Sequence, residues 1–84
     1  MRRDSTQVIH NLLQEARVKA GITQTQVVRR ANLNFYAANR YLNRLVDGNL
    51  LRISINEEPV KYHLTSEGER LLLLLDEVYS LMKI

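Results

Sequence analysis

Apolar residues recur at helical spacing from Ile9 through Leu12, Leu13, Ala16 and Ala20, and the run stops at Gly21. Steps of three and four put those side chains on one face, so the chain opens with a helix that a glycine terminates. Asp4, followed three residues later by Gln7, has the spacing of a capping box at its start. Thr23 and Gln26 repeat that spacing. Val27, Val28 and Ala31 then form the apolar side of a second helix about two turns long, ending near Asn32, a residue that tolerates left-handed backbone. Asn34 is placed to cap a third helix over 35–47, with Leu33 before it set to pack on Ala38 as a hydrophobic staple. At 100° per residue, Ala38, Tyr41, Leu42 and Leu45 share one arc of that helix, with Phe35 and Val46 on its flank. The opposite arc holds Tyr36, Asn39, Arg40, Asn43 and Arg44.

The period changes after Leu50. Leu51, Ile53 and Ile55 alternate with Arg52 and Ser54, and Val60, Tyr62 and Leu64 alternate with Lys61 and His63, the period of half-buried antiparallel strands. Asn56, Glu57, Glu58 and Pro59 fall between them as a hairpin loop. Ser66 with Glu69 gives a third capping-box spacing, opening a last helix from about residue 67 toward 84, roughly 27 Å long at ~1.5 Å per residue. Three helices, a hairpin and a further helix make a mainly α fold with a small β-hairpin, the order of a winged helix-turn-helix. Residues 23–47 would be its helix-turn-helix, 50–64 its wing, 5–64 the core, and 66–84 a helix added to it.

Composition narrows the class. Eighty-four residues suffice for one domain with a thin core, since so short a chain buries only about 60 to 65% of its unfolded surface. With 45% hydrophobic and 25% charged residues it is globular, and one Pro and three Gly leave no room for a linker to a second domain. The absence of Cys removes disulfides, thiolate metal sites and a Cys nucleophile together. The first residues lack the apolar run of a signal peptide, and the leucines at 71–75 end at Asp76 and Glu77, far short of the ~18 apolar residues a membrane span needs. A soluble, cytoplasmic, nucleoid-associated protein is expected. The net charge of +3 is unevenly spread: residues 1–56 hold nine Arg and Lys against three Asp and Glu, and residues 57–84 hold three against six. The basic half is the helix-turn-helix half, the footprint expected for a polyanion partner.

A helix that reads DNA turns hydrogen-bonding side chains into the major groove while its other face is locked to its neighbours. The third helix divides in that way. Arg40 and Arg44 can fork onto guanine or phosphate, Asn39 and Asn43 can pair with adenine edges, and Tyr36 can reach phosphate or a thymine methyl. No acidic residue lies within 34–45. A face that served only solubility would carry Glu and Lys, which favour helix, whereas Asn disfavours it. Arg29 and Arg30 on the second helix are candidates for phosphate contact, as are Arg2 and Arg3 in an N-terminal arm and Arg52 and Lys61 on the wing. Glu57 and Glu58 would repel phosphates from a wing tip. His10 and His63 lack ligand-spaced partners, so no metal is expected. No phosphate loop, nucleophile elbow or metalloprotease helix occurs, so neither enzymatic activity nor a cofactor is expected.

The last helix carries more apolar surface than one contact needs. Leu71, Leu75, Val78 and Met82 form a stripe at steps of four, three and four, flanked by Leu74 and Leu81 on one side and Leu72 and Tyr79 on the other. About half the circumference is apolar, where ~100° serves a helix docked on one side. The excess fits a second copy of the same helix, making Leu71, Leu74, Leu75, Val78, Leu81 and Met82 candidate dimer contacts.

The run ANLNFYAANRYLNRL, Leu50 with Leu51, and the segment YHLTSEG from residue 62 resemble the small archaeal winged-helix DNA-binding proteins, transcriptional regulators and chromatin proteins among them. The YxLTxxG element is the most specific part. That resemblance implies contact with double-stranded DNA through the exposed positions of the third helix and dimerisation through the helix after Gly68. The expected function is a homodimeric transcriptional regulator. Two alternatives stay open: an architectural DNA binder of little sequence specificity, and a winged helix used for protein assembly.

Overall fold

The computed structural model describes residues 5–82, so the Asp4 cap and the Arg2 and Arg3 arm lie outside the described residues. Four helices and a hairpin follow in the expected order: α1 (Ser5–Val18), α2 (Gln24–Ala31), α3 (Phe35–Asp47), β1 (Leu51–Ser54), β2 (Lys61–Leu64) and α4 (Ser66–Met82). Their shared core is built from Val8, Leu12, Leu13 and Ala16 of α1, Val27 and Ala31 of α2, Ala38, Leu42 and Leu45 of α3, and Leu72 of α4. Ile22, Leu51 and Tyr62 close it from the sheet side.

Local chemistry explains most element ends. Thr23 caps α2 through a complete capping box: its hydroxyl accepts from the Gln26 N–H at 3.2 Å, and the Gln26 side chain accepts from the Thr23 N–H at 2.9 Å. Asn32 then turns left-handed at φ 54° and ends the helix. Asn34 caps α3, its side chain accepting from the Ala37 N–H at 2.7 Å. After α3 the left-handed residue is Asn49, at φ 61°, while Gly48 stays at φ −83°.

Four features depart from the sequence pattern. Helix α1 ends at Val18, and Ala20 is not helical but left-handed at φ 53°, next to Gly21 at φ 116°. Beyond that turn Ile22 bridges Tyr62, each N–H donating to the other's carbonyl at 2.9 and 2.7 Å, which adds a one-residue third strand to the hairpin. No period announces a single residue. The cap of α4 is Thr65 rather than Ser66, because the Thr65 hydroxyl accepts from the Gly68 N–H at 2.9 Å while donating to the Asn49 carbonyl at 2.7 Å. Lastly, the wing is less buried than its alternation predicts. Leu51 pairs with Leu64 and Ile53 with Tyr62, so these share one face, but only its base meets the core. Ile53, Val60 and Ile55, the last 73% exposed, run out beyond it.

Helix α4 seats on α1 along a narrow line. Gly68 and Leu72 are buried, and His10 of α1 donates to the half-buried Asp76 at 2.6 Å while its ring meets Tyr79 edge to face, centroids 5.0 Å apart. A Cβ on Gly68 would collide with the Leu50 carbonyl, so only glycine lets α4 approach the turn after α3 this closely.

Candidate nucleic-acid interface

The side chains of α3 divide by what surrounds them. Ala38, Leu42 and Leu45 are buried, Ala37, Tyr41 and Val46 are half-buried, and Tyr36, Asn39, Arg40, Asn43 and Arg44 are all exposed. The five candidates therefore lie on one outward face, while the opposite side is fixed in the core. Residues four apart neighbour each other on a helix, so that face consists of two ridges. One runs Tyr36, Arg40, Arg44, with the Arg40 guanidinium 6.0 Å from the centre of the Tyr36 ring. The other runs Asn39 and Asn43, and Phe35 stands at its head.

Phe35 corrects the helical wheel. Its angular position borders the buried arc, yet its side chain is 59% exposed. It is the first residue of α3, beyond the reach of the core that holds Ala38 and Leu42. The Gln24 side chain donates to its carbonyl at 3.5 Å, tying the starts of α2 and α3 together. The signal available in the sequence was position, since a flank residue in a first turn has nothing packed above it.

The basic ridge borders a shallow hollow lined by Ser5, Leu33, Ala37, Arg40, Tyr41 and Arg44, where the Tyr41 hydroxyl donates to Ser5 at 3.2 Å. Arg29 and Arg30 are exposed on α2. Arg30 lies on the α1 side, next to a hollow lined by Asn11, Leu12, Gln14 and Glu15 and by no residue of α3. On the hairpin, Arg52 faces His63 and Lys61 faces Ser54 across the ladder, on the side turned away from Tyr62. Arg52 is exposed and Lys61 half-buried.

The helix, turn, helix and hairpin described here are those of a known family, whose profile matches residues 2–83. The chain belongs to the winged helix-turn-helix family. This winged helix-turn-helix shares its fold with a solved structure described as a MarR family protein from Bacillus stearothermophilus, at a TM-score of 0.76 and 18% identity. The match covers 95% of this chain and 56% of that one, so the chain spans little more than half the length of that relative. No curated protein matches it in sequence.

In this winged helix-turn-helix one of the two glutamates of the wing loop is held back against β2. Glu57 folds back to accept from His63 Nε2 at 2.5 Å, leaving Glu58 exposed. The hydrogen bond from His63, a second from Ser54, and the charges of His63 and Lys61 hold the Glu57 carboxyl below the usual glutamate range, against a smaller opposing effect of desolvation. Neither histidine is a lone surface group, as each pairs with one carboxylate. Among the described residues no three His, Cys, Asp or Glu side chains gather as metal ligands, and no helix is long and apolar enough to cross a membrane.

The free side of α4 is apolar. Gly68, Leu72, Asp76 and Tyr79 mark the α1 side. About 100° around the helix, Leu71 and Leu75 are half-buried, and Leu74, Val78, Leu81 and Met82 are exposed. All six dimer candidates fall within one arc of about 120°, of which Leu74, Val78, Leu81 and Met82 are left uncovered while Leu71 packs against the core.

Proposed function

We propose that this chain is a DNA-binding transcriptional regulator that places α3 in the major groove and works as a homodimer through α4. The observation that carries the reading is the exposed face of α3: two Arg, two Asn and a Tyr on a helix whose other side is immobilised, with no acidic side chain from residue 34 to 46. Arg40 and Arg44 supply charge and bidentate donors, and Asn39 and Asn43 supply paired donors and acceptors for base edges. Arg29, Arg52 and Lys61 act as backbone contacts around that helix, and Arg30, on the α1 side, as a contact farther from it. The uncovered arc of α4 supports pairing with a second copy, which would present two α3 helices to half-sites ~34 Å apart on one face of a duplex. Such a protein works on the nucleoid.

Salt separates this from assembly on another protein, a second reading that the exposed Ile53, Ile55 and Val60 of the wing favour. Duplex affinity measured between 50 and 200 mM salt should fall steeply, with a log-log slope of about 0.9 per phosphate neutralised. Five contacts give a slope near 4 to 5. A flat dependence, or no binding to any duplex at low salt, would leave the assembly reading. An architectural binder would show the same slope with little difference between specific and random duplexes.

A further inference from the structure

We propose that Phe35 is a specificity residue: it packs against a thymine methyl beside an adenine read by Asn39, so that the ridge Phe35, Asn39, Asn43 selects A·T pairs. This inference rests on the placement of α3 in the major groove. Phe35 is 59% exposed at the start of the helix, although Leu42 beside it on the wheel is a core residue. It is held there by a capped first turn, with Asn34 accepting from the Ala37 N–H at 2.7 Å and Gln24 reaching the Phe35 carbonyl. Its ring has no aromatic or cationic partner among the described residues, whereas Tyr36 is engaged by Arg40. The two aromatic side chains thus belong to different ridges. Tyr36 heads the charged one, suited to phosphates, and Phe35 heads an uncharged one.

The chemistry of that uncharged ridge matches one kind of base pair. In the major groove adenine offers an acceptor and a donor that an Asn amide pairs with, and its thymine partner offers a methyl group that an apolar side chain contacts. A G·C pair lacks that methyl and presents only the smaller C5–H of cytosine in its place. Phe35 and Asn39 are about 6 Å apart along the helix axis, less than two base-pair steps at ~3.4 Å each. The methyl that Phe35 touches therefore belongs to the pair read by Asn39 or to one within two steps of it. A protein partner would suit an exposed Phe as well, but the flanking Arg40 and Arg44 and the absence of any acid on α3 before Asp47 fit a polyanion.

The test uses the full chain and duplexes selected from a random pool. Each thymine of the selected site is replaced in turn by deoxyuridine, which removes one methyl and leaves every hydrogen-bonding edge intact. For the wild type, one or two positions per half-site should lose about fourfold in affinity, the equivalent of ~0.8 kcal/mol for one buried carbon. Phe35→Ala should bind thymine and uracil equally at those positions, and Phe35→Leu should keep part of the difference. Both variants change an exposed side chain, so unchanged circular dichroism is expected. Three results would overturn the proposal while DNA binding stands: a selected site without a fixed thymine, uracil tolerated at every position, or a penalty that persists undiminished in Phe35→Ala. Failure to bind any duplex at low salt would overturn the DNA reading and this inference with it.

Discussion

At Gly68 a single hydrogen atom decides whether α4 can dock. A Cβ built there would lie 2.0 Å from the Leu50 carbonyl oxygen and 2.8 Å from Leu64 Cδ1, and a backbone carbonyl cannot swing aside. Alanine gains helix propensity of up to ~1 kcal/mol but forces the helix off the turn, so Gly68→Ala should destabilise the fold by about 2 kcal/mol or more. Urea unfolding midpoints measure this. A neutral or stabilising substitution would show that α4 does not sit this close. Glu57 makes a pH-dependent contribution whose sign follows from its lowered pKa. Its charged form is stabilised in the folded wing, so the contribution is complete above the usual glutamate range and disappears as pH falls through the depressed folded value. In an NMR titration the Glu57 carboxyl should reach its midpoint below the usual value of ~4.3. His63→Ala should move the midpoint back up.

Among the elements, α4 shows how one side chain can join two segments. Thr65 donates to the Asn49 carbonyl and accepts from the Gly68 N–H, linking the turn after α3 to the start of α4. Thr65→Ala removes both bonds and should cost about 1 to 2 kcal/mol in thermal unfolding, whereas Thr65→Ser keeps the hydroxyl and should cost much less. Equal losses for the two would assign the effect to the methyl group. This link is also why spacing alone places the α4 cap one residue late in the TSEG segment. Ser66 has the correct spacing to Glu69, but Thr65 has an acceptor 16 residues away that spacing cannot reveal. The helices α2 and α3, by contrast, were legible to within a residue, because both ends of α2 and the start of α3 are set by side chains adjacent in sequence.

For the molecule as a whole, the proposed dimer rests on the free arc of α4. Val78 is 47% and Leu74 52% exposed, so glutamate at both positions leaves the core intact while placing charges in the proposed seam. The Leu74→Glu, Val78→Glu protein should be folded by circular dichroism and monomeric by light scattering, against a dimeric parent. Its affinity for a two-half-site duplex should fall toward that for a single half-site. An unchanged dimer would exclude this seam.

The order of helices and strands and the caps at Thr23 and Asn34 were determined by the sequence itself, since period and capping there depend on residues within four places of each other. The α3 face followed, because a helix with one apolar arc has its other arc in solvent. Only the tertiary structure decided which residues the core fails to reach. Phe35 and Ile55 carry the pattern of buried residues but lie beyond the packed layer. Only the fold, too, joined Ile22 to Tyr62, His10 to Asp76 and Thr65 to Asn49, contacts made by chain segments whose separation no local period encodes. On α4, the sequence showed an excess of apolar surface, and the packing on α1 decided which part of it remains free.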